Sequence, residues 1–361
     1  MHATYLWQLQ SYKRNLNTIM KKHLLLFLLA SGTLAASAQT DKTPYYTRSL
    51  TNDGIKNVVL STSGGSILVT GAGQQQPHID VFVVGNNHED LTKDEIKKRL
   101  EEDYILDIDI QNGQLKATAK NRRNNMNWRR SLSIGFKVYV NAQTSTNLNT
   151  SGGSIRIENL NGNQNFETSG GSLNVANVTG NIKGETSGGS ITVTNSRNTI
   201  DLETSGGSIT ASNCSGKIKL ETSGGPLNLS DLKGTINAET SGGGIRGKNI
   251  DGELITSTSG GSIGLTGISG SLNASTSGGG IDVQMVKLGK YIKLETSAGH
   301  VSLNVPKQST MNVSLHGSRV NLDVAGDFQG SKEKEDVVGK VNGGGVTVEV
   351  HGDSGVTVSS R

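Results

Sequence analysis

Five glutamates recur every 18 residues in the middle of the chain, and carboxylates in such a row could bind a hard cation. They are Glu167, Glu185, Glu203, Glu221 and Glu239. If the segments that carry them stack, neighbouring carboxylates lie about 4.8 Å apart and repel each other. Ca²⁺ prefers oxygen ligands of this kind. The spacing therefore predicts either a solvated acidic face, offset by Lys183 and Lys219, or a calcium stripe; no other cofactor is indicated.

A basic segment, KNRRNNMNWRR at 120–130, is the second group that could do chemistry. Guanidinium groups attract anions, and an indole ring can stack on a ligand. The candidate residues are Arg122, Arg123, Trp128, Arg129 and Arg130. The segment predicts either a solvated hairpin loop or a contact with an anionic polymer such as lipopolysaccharide.

The word TSGG could form a phosphate cradle or a nucleophile loop, but it occurs too often for either. Its Thr stands at positions 150, 168, 186, 204, 222, 240, 258 and 276, always 18 apart. A variant, TSAG, begins at Thr296, and an early copy begins at Thr62. A fixed period is the signature of a stacked architecture, so we interpret TSGG as a corner of each repeat. The histidines after residue 38 show no metal-ligand spacing, and no catalytic residue is predicted.

Each repeat is predicted to form two strands of a parallel β-solenoid, also called a β-helix, in an all-β protein. Counted from the Thr of TSGG, apolar residues stand at positions +5, +7 and +14, and glycine recurs at +12. Alternating apolar residues broken by glycine indicate two strands and two turns per 18-residue coil. Stacked coils bury apolar faces that one coil cannot bury alone. We expect the Thr residues to form an internal hydroxyl ladder, and the Asn residues at +9 to form a hydrogen-bonded file.

A left-handed solenoid built from six-residue strands would also have an 18-residue coil. That fold needs apolar residues at positions +5, +11 and +17. Position +11 is polar here, and position +17 is mostly Glu. The pattern therefore favours a two-faced, right-handed coil.

The remaining sequence divides into a leader and two flanking segments. Residues 1–38 are predicted to be an upstream extension and a cleaved signal peptide, because MKKHLLLFLLASGTLAASA from Met20 has a basic start, an apolar run and a small-residue cleavage site. Residues 39–149 are predicted to form an α+β cap, with a short helix after a capping box at Thr92. The regular solenoid is assigned to 150–300 and a β-rich cap to 301–361.

Charge and cysteine content bear on partners and location. The net charge of +4 arises in residues 1–38, which hold four basic and no acidic side chains. The rest has 31 of each sign, so no nucleic-acid partner is predicted. The apolar run of the leader is shorter than the roughly 20 residues that span a membrane, and the chain is predicted not to cross one. The single cysteine, Cys214, is predicted to be buried.

Several stretches make the chain resemble a family of bacterial exported β-strand-repeat proteins of unknown function that are labelled "putative adhesins". These are STSGGSILVTG at 61–71, the SGG coils, ETSAGHVSLNVPK at 295–307 and NGGGVTV at 342–348. The resemblance spans residues 45–361. It implies a repeat fold and a surface role, and it supplies no catalytic motif.

These features predict a non-enzymatic protein of the cell envelope, acting as an adhesin or a rigid interaction module. It would be exported to the periplasm, the outer-membrane surface or the medium, where it would bind an envelope component, a polysaccharide or another surface protein. The alternatives are a carbohydrate-active β-helix enzyme and a cation-dependent or ice-binding surface. The enzyme is disfavoured because Asp201, Asp231, Asp282 and Arg246 are scattered among coils, and ice binding because Arg156 and Arg246 interrupt the Thr ranks.

Overall fold

The computed structural model describes residues 43–86, 91–122 and 128–361, so the predicted leader lies outside the described residues. These residues form an all-β structure, as predicted, with one α-helix, α1, at Lys93–Asp103. The strands are β1 Tyr46–Ser49, β2 Asn57–Thr62, β3 Ile67–Gly71, β4 His78–Gly85, β5 Tyr104–Gln111, β6 Gln114–Asn121, β7 Leu132–Val140, β8 Ser145–Thr150, β9 Ile155–Glu158, β10 Asn161–Thr168, β11 Leu173–Ala176, β12 Thr179–Thr186, β13 Ile191–Thr194, β14 Arg197–Thr204, β15 Ile209–Ser212, β16 Ser215–Thr222, β17 Leu227–Thr240, β18 Ile245–Thr258, β19 Ile263–Thr276, β20 Ile281–Thr296, β21 His300–Val305, β22 Met311–Gly317, β23 Val320–Asp323, β24 Phe328–Lys332, β25 Asp336–Val341, β26 Val346–Gly352 and β27 Gly355–Ser360.

Successive repeats lie side by side, with parallel strands and a register offset that equals the sequence period. β12 pairs with β14 so that Ile182 faces Ile200 and Thr186 faces Thr204. The same register continues from β10 to β19. At the end of β20 the offset is longer, since Thr276 faces Thr296, and register shifts along the β19–β20 ladder absorb the extra residues. Equivalent side chains therefore form files across the strands.

The interior contains the apolar positions that the period predicts, and also position +10, to which the period assigned no role. Ile191, Val193 and Ile200 of one repeat are buried, as expected for positions +5, +7 and +14. Position +10 adds a further buried file. Its members are Leu160, Val178, Ser196, Cys214, Leu232, Ile250 and Ile268. The prediction that Cys214 is buried is confirmed.

A corner at position +9 explains this extra file. Asn159, Asn177, Asn195, Asn213 and Asn249 stand there with φ between 51° and 56°, a left-handed conformation that Asn tolerates better than most residues. The chain turns at each Asn, and the next residue points inward. The amides also bond along the file: Asn177 Nδ2 donates to Asn159 Oδ1 at 3.0 Å, and Asn195 Nδ2 to Asn177 Oδ1 at 3.2 Å. The predicted Asn file is confirmed for these residues.

The TSGG corner is held by hydrogen bonds from its Thr to backbone and by close approach of successive repeats. Each Thr is buried and is the register partner of the Thr in the next repeat, as the predicted internal ladder requires, but its hydroxyl bonds to backbone and not to the neighbouring hydroxyl. Thr186 Oγ1 donates to the Gly171 carbonyl at 2.8 Å and accepts from the Gly189 N–H at 3.3 Å. A Cβ on Gly189 would lie 2.0 Å from the Gly171 carbonyl oxygen. The second glycine of TSGG is therefore required by close approach of two backbones, and not by a special φ.

On the N-terminal side, the files continue into the segment that the sequence assigns to the α+β cap. β2 and β3 pair in parallel with β8 and β9, so that Thr62 faces Thr150 and Ile67 faces Ile155. β6 and β7 lie on the other side of β2 and β3. β4 and β5 run antiparallel to β7 and β6, and α1 contacts both. The N-cap of α1 is confirmed, because Thr92 Oγ1 accepts a hydrogen bond from the Glu95 N–H.

On the C-terminal side, the last strands of the chain are not the last of the stack. β26 and β27 pair with β20 and β21 on one side and with β22 and β23 on the other. The chain therefore inserts its own end between two earlier layers. β25 and then β24 pair antiparallel beyond β22. Antiparallel strands at both ends cover edges that would otherwise invite pairing with other chains.

Candidate functional site

The five predicted glutamates lie in one outward file, here called the Glu file. Glu203 is the register partner of Glu185 on one side and of Glu221 on the other, and Glu167 and Glu239 extend the file. Parallel pairing places neighbouring members about 4.8 Å apart at the backbone. A shallow depression of about 490 Å³ runs beside Glu203, Glu221 and Glu239 and the adjacent corners. The structure thus brings together the five candidate residues.

Two lysines offset part of this charge. Lys183 Nζ lies 2.8 Å from Glu185 Oε1, and Lys219 Nζ lies 2.9 Å from Glu221 Oε1. The hydrogen bond to the carboxylate raises the pKa of each lysine. Each Lys precedes its Glu by two positions, so both side chains point to the same side of the strand. The expected pairing is confirmed at these two positions.

Calcium binding by the Glu file stays a prediction. In the part of the chain that the structure describes, no group of three or more His, Cys, Asp and Glu side chains is placed to hold a metal ion. Calcium takes roughly six to eight oxygen ligands, and each layer of the file supplies one carboxylate. A bound calcium would therefore need water or corner hydroxyls, such as those of Ser223 and Ser241, to complete its shell.

The predicted basic segment is only partly described. Arg123 and the side chain of Trp128 lie outside the described residues. Arg122 and Arg129 are exposed. The flanking strands β6 and β7 pair with β2 and β3 and not with each other. The hairpin that the sequence predicted here is therefore wrong, since the segment connects two strands that lie in different ladders.

Arg130 binds to the protein itself. Its Nη2 donates to Glu102 Oε2 at 2.7 Å and to Asp103 Oδ2 at 3.3 Å. The bond to Glu102 raises the pKa of Arg130. This arginine therefore fastens the segment to the end of α1. A contact between the segment and an anionic polymer stays a prediction for Arg122, Arg123, Trp128 and Arg129.

A groove of about 560 Å³ lies on the other outward side, along the first strand of the repeats. Arg246, Gly264 and Asp282 are register neighbours in the file at position +6, and His300 stands beside them at the start of β21. The sequence interpretation treated Arg246 and Asp282 as scattered, which is wrong, because they line one groove. Both residues stand at position +6, in repeats that are two apart. This shared position was the sequence signal that could have predicted their proximity.

Residues 260–264 read GGSIG, which matches the nucleophile pattern G-x-S-x-G. That pattern places its serine on a sharp turn between a strand and a helix. Here Ser262 follows a TSGG corner and directly precedes β19. The strand–turn–helix context is missing at this described position, so we interpret the match as a product of the repeat.

The outward file that contains the five glutamates continues into the C-terminal strands. There it includes a pair of histidines that the sequence did not predict. Glu295, His351, His316 and Asp336 are successive register partners. The two rings stack with centroids 5.1 Å apart and planes inclined by 7°. His316 Nδ1 lies 2.6 Å from Asp336 Oδ1, and this hydrogen bond raises the pKa of His316. The pair is invisible in the sequence because its members come from layers in reversed chain order.

Comparison with known proteins agrees with the predicted family. Residues 246–358 match the family model described as Toastrack DUF4097, and the resemblance stated from the sequence is confirmed for this segment. No curated protein matches the chain. No helix among the described residues is long and apolar enough to cross a membrane.

Three solved structures are similar to the chain. One is described as a putative cell adhesion protein from Clostridium sporogenes, with 9% identity, 88% of this chain and 98% of that chain covered, and a TM-score of 0.21. A putative adhesin from Bacteroides fragilis has 14% identity, coverage of 71% and 95%, and a TM-score of 0.33. A putative lipid binding protein from Parabacteroides distasonis has 15% identity, coverage of 72% and 96%, and a TM-score of 0.29.

Proposed function

We propose that this chain, with its Toastrack DUF4097 segment, is a non-enzymatic, exported protein of the cell envelope that acts as an adhesin or a rigid interaction module. In this proposal it folds as a right-handed parallel β-solenoid of 18-residue coils, with caps at 39–149 and 301–361. The observation that carries the proposal is the in-register alignment of equivalent outward residues, such as Glu185, Glu203 and Glu221. A surface repeated at about 4.8 Å suits a partner that itself repeats, such as a polysaccharide.

The state of the repeated hydroxyls supports a non-enzymatic role. The Thr of each TSGG corner carries a strictly recurring hydroxyl that could act as a nucleophile. Thr204, for example, is buried and donates to the Gly189 carbonyl while it accepts from the Gly207 N–H. A hydroxyl engaged in both directions by backbone is a structural element, because neither its proton nor its lone pair is directed to a substrate.

Export is tested by locating the protein. The full chain would be produced in a bacterial host, cells would be fractionated, and the N-terminus would be sequenced. We expect the protein in the periplasm, the outer membrane or the medium, beginning at Gln39. Recovery of uncleaved chain in the cytoplasm would contradict the proposal. A leader in which Ala36 and Ala38 are replaced by Arg serves as the control, since small residues define the cleavage site.

The interaction role is tested with purified protein and envelope polysaccharides. We expect the protein to co-sediment with an insoluble polysaccharide fraction and to leave its chain length unchanged. New reducing ends, or unsaturated sugar products, would contradict the non-enzymatic role and would favour the β-helix enzyme. Protein unfolded in urea and diluted into the assay is the control for adhesion through exposed apolar residues.

A further inference from the structure

Three polar side chains that line the groove at position +6 have neither a hydrogen-bond nor an ion-pair partner in the part of the chain that the structure describes. Arg246, Asp282 and His300 line the groove, and among the described residues none of their side chains makes a hydrogen bond or an ion pair. Arg156, which occupies the same file near the other end of the regular repeats, differs: its Nε donates to Glu158 Oε1 at 2.6 Å. The residue that corresponds to Glu158 two places after Arg246 is Lys248. The guanidinium of Arg246 therefore has no carboxylate partner among the described residues and is available to an external one.

The groove exists because small residues replace larger ones at this place. Gly264 lies between Arg246 and Asp282 in the file, and a Cβ added to it would meet nothing within 4 Å. Gly244 and Gly280 stand where most repeats have the Ser of TSGGS. Backbone strain does not account for Gly264, since its φ lies outside the left-handed region. The open space at Gly264 therefore lies between two unpaired charged side chains, those of Arg246 and Asp282.

We propose that this groove binds an acidic saccharide, with the carboxylate of one sugar on Arg246 and the hydroxyls of the next sugar on Asp282 and His300. Arg246 and Asp282 are two strand spacings apart, about 10 Å at the backbone, which is comparable to the span of two rings of an extended glycan. Guanidinium groups bind carboxylates through two parallel hydrogen bonds. A carboxylate such as Asp282 accepts hydrogen bonds from sugar hydroxyls, and it disfavours a second acidic ring at that end. This inference rests on the proposed interaction role and names its ligand class.

The chemistry favours a glycan over an acidic peptide. The groove crosses four neighbouring segments of chain, which contribute Arg246, Gly264, Asp282 and Ser302. Its polar side chains therefore lie along the direction in which strands stack, at multiples of about 4.8 Å. A run of acidic side chains would meet the Asp282 carboxylate with like charge. A saccharide that alternates acidic and neutral rings places a carboxylate at one end only.

The test uses a hyaluronan tetrasaccharide, in which uronic acid alternates with a neutral amino sugar, and its carboxyl-reduced form. Isothermal titration calorimetry with the whole protein should detect binding of the acidic form and at least tenfold weaker binding of the reduced form. Arg246→Gln should weaken binding of the acidic form at least tenfold, whereas Arg156→Gln should leave it unchanged. No measurable binding of the acidic form, or equal loss in both arginine variants, would overturn the proposal.

A second pair of variants keeps the test independent of charge. Gly264→Ile places a side chain in the groove at a position where an added Cβ would meet nothing within 4 Å, and we expect it to abolish binding while the melting temperature does not fall. Thr192→Ile places the same side chain at the exposed +6 position of β13 and should bind as the wild type does. Unchanged binding in Gly264→Ile would assign the saccharide to another surface, and would leave the proposed envelope role intact. An acidic peptide that binds as tightly and is displaced by the same variants would overturn the saccharide assignment.

Discussion

The hydroxyl of Thr204 donates a hydrogen bond to the carbonyl oxygen of Gly189 at 2.8 Å, and so connects its own TSGG corner to the corner before it. The same hydroxyl accepts from the Gly207 N–H at 3.3 Å. A single buried side chain thus satisfies one acceptor in the preceding repeat and one donor in its own. Because the same arrangement occurs from Thr150 to Thr296, it is a repeated tie between layers.

Removing this hydroxyl should destabilise the protein. We expect Thr204→Val, which keeps the shape, to lower the free energy of unfolding by about 1–2 kcal/mol, because a buried N–H and a buried C=O lose their partner. Urea denaturation followed by circular dichroism measures the change. Thr192→Val is the control, since Thr192 is exposed and its replacement should change little. A loss in Thr204→Val no larger than in the control would show that the tie contributes nothing.

The two glycines of one TSGG corner should differ in tolerance. A Cβ on Gly207 would lie 2.1 Å from the Gly189 carbonyl oxygen, whereas a Cβ on Gly206 would have its nearest contact at 3.5 Å. We expect Gly207→Ala to cost about 3 kcal/mol, because backbone of two layers must move apart, and Gly206→Ala to stay within about 0.5 kcal/mol of the wild type. Chemical denaturation of the pair measures both. Similar costs for the two variants would contradict the close-approach explanation.

The strict period of the repeat was sufficient to predict which residues share a file. Glu185, Glu203 and Glu221 align as expected, because a constant period with in-register parallel pairing leaves no freedom in their relative position. The burial of position +10 was not predicted, since it depends on the left-handed φ of the preceding Asn, as at Asn195. The period of the sequence gives the spacing between equivalent residues. It does not show where the backbone turns within one repeat.

The features that escaped prediction are those that depend on breaks in the period. The groove needs Asp282 and His300 in one place, although the offset between their repeats is longer than the regular period. The stacked pair His316 and His351 needs β26 to insert between β20 and β22. Neither the bulge nor the insertion has a local signal in the sequence, because both are consequences of how complete layers associate.

Calcium provides the test of the Glu file. Replacing Glu167, Glu185, Glu203, Glu221 and Glu239 with Gln removes the like charges. If calcium binds as predicted, millimolar CaCl₂ should raise the melting temperature of the wild type more than that of the five-residue variant, because only the wild type has carboxylates to bridge. Differential scanning fluorimetry with and without CaCl₂ measures the difference, and MgCl₂ at equal ionic strength is the control for screening. An equal increase in the melting temperature of the two proteins would contradict calcium binding by the Glu file.

A variant with one substitution separates repulsion from calcium binding. Glu203 has a glutamate on each side in the file and no lysine bonded to it in the part of the chain described. Without calcium, Glu203→Gln should raise the melting temperature at low salt, and the gain should shrink as salt rises, because like charges repel less when screened. Lys219→Gln is the matched opposite, since it removes the cation bonded to Glu221 and should lower the melting temperature at low salt. A gain in Glu203→Gln that is independent of salt would contradict repulsion as its cause.

The histidine pair should make the stability of the C-terminal layers depend on pH. Asp336 raises the pKa of His316 in the folded protein above the ordinary value of about 6.5. The protonated form is thus favoured by folding, so the stabilisation is complete below about pH 6.5 and is lost as the pH rises through the folded-state pKa. Titration of the His316 ring protons by NMR should show a midpoint that falls in Asp336→Asn. Asp353→Asn should move the midpoint less, because Asp353 bonds to His351 and acts on His316 only through space. A midpoint unaffected by Asp336→Asn would exclude the 2.6 Å hydrogen bond as the cause of the shift.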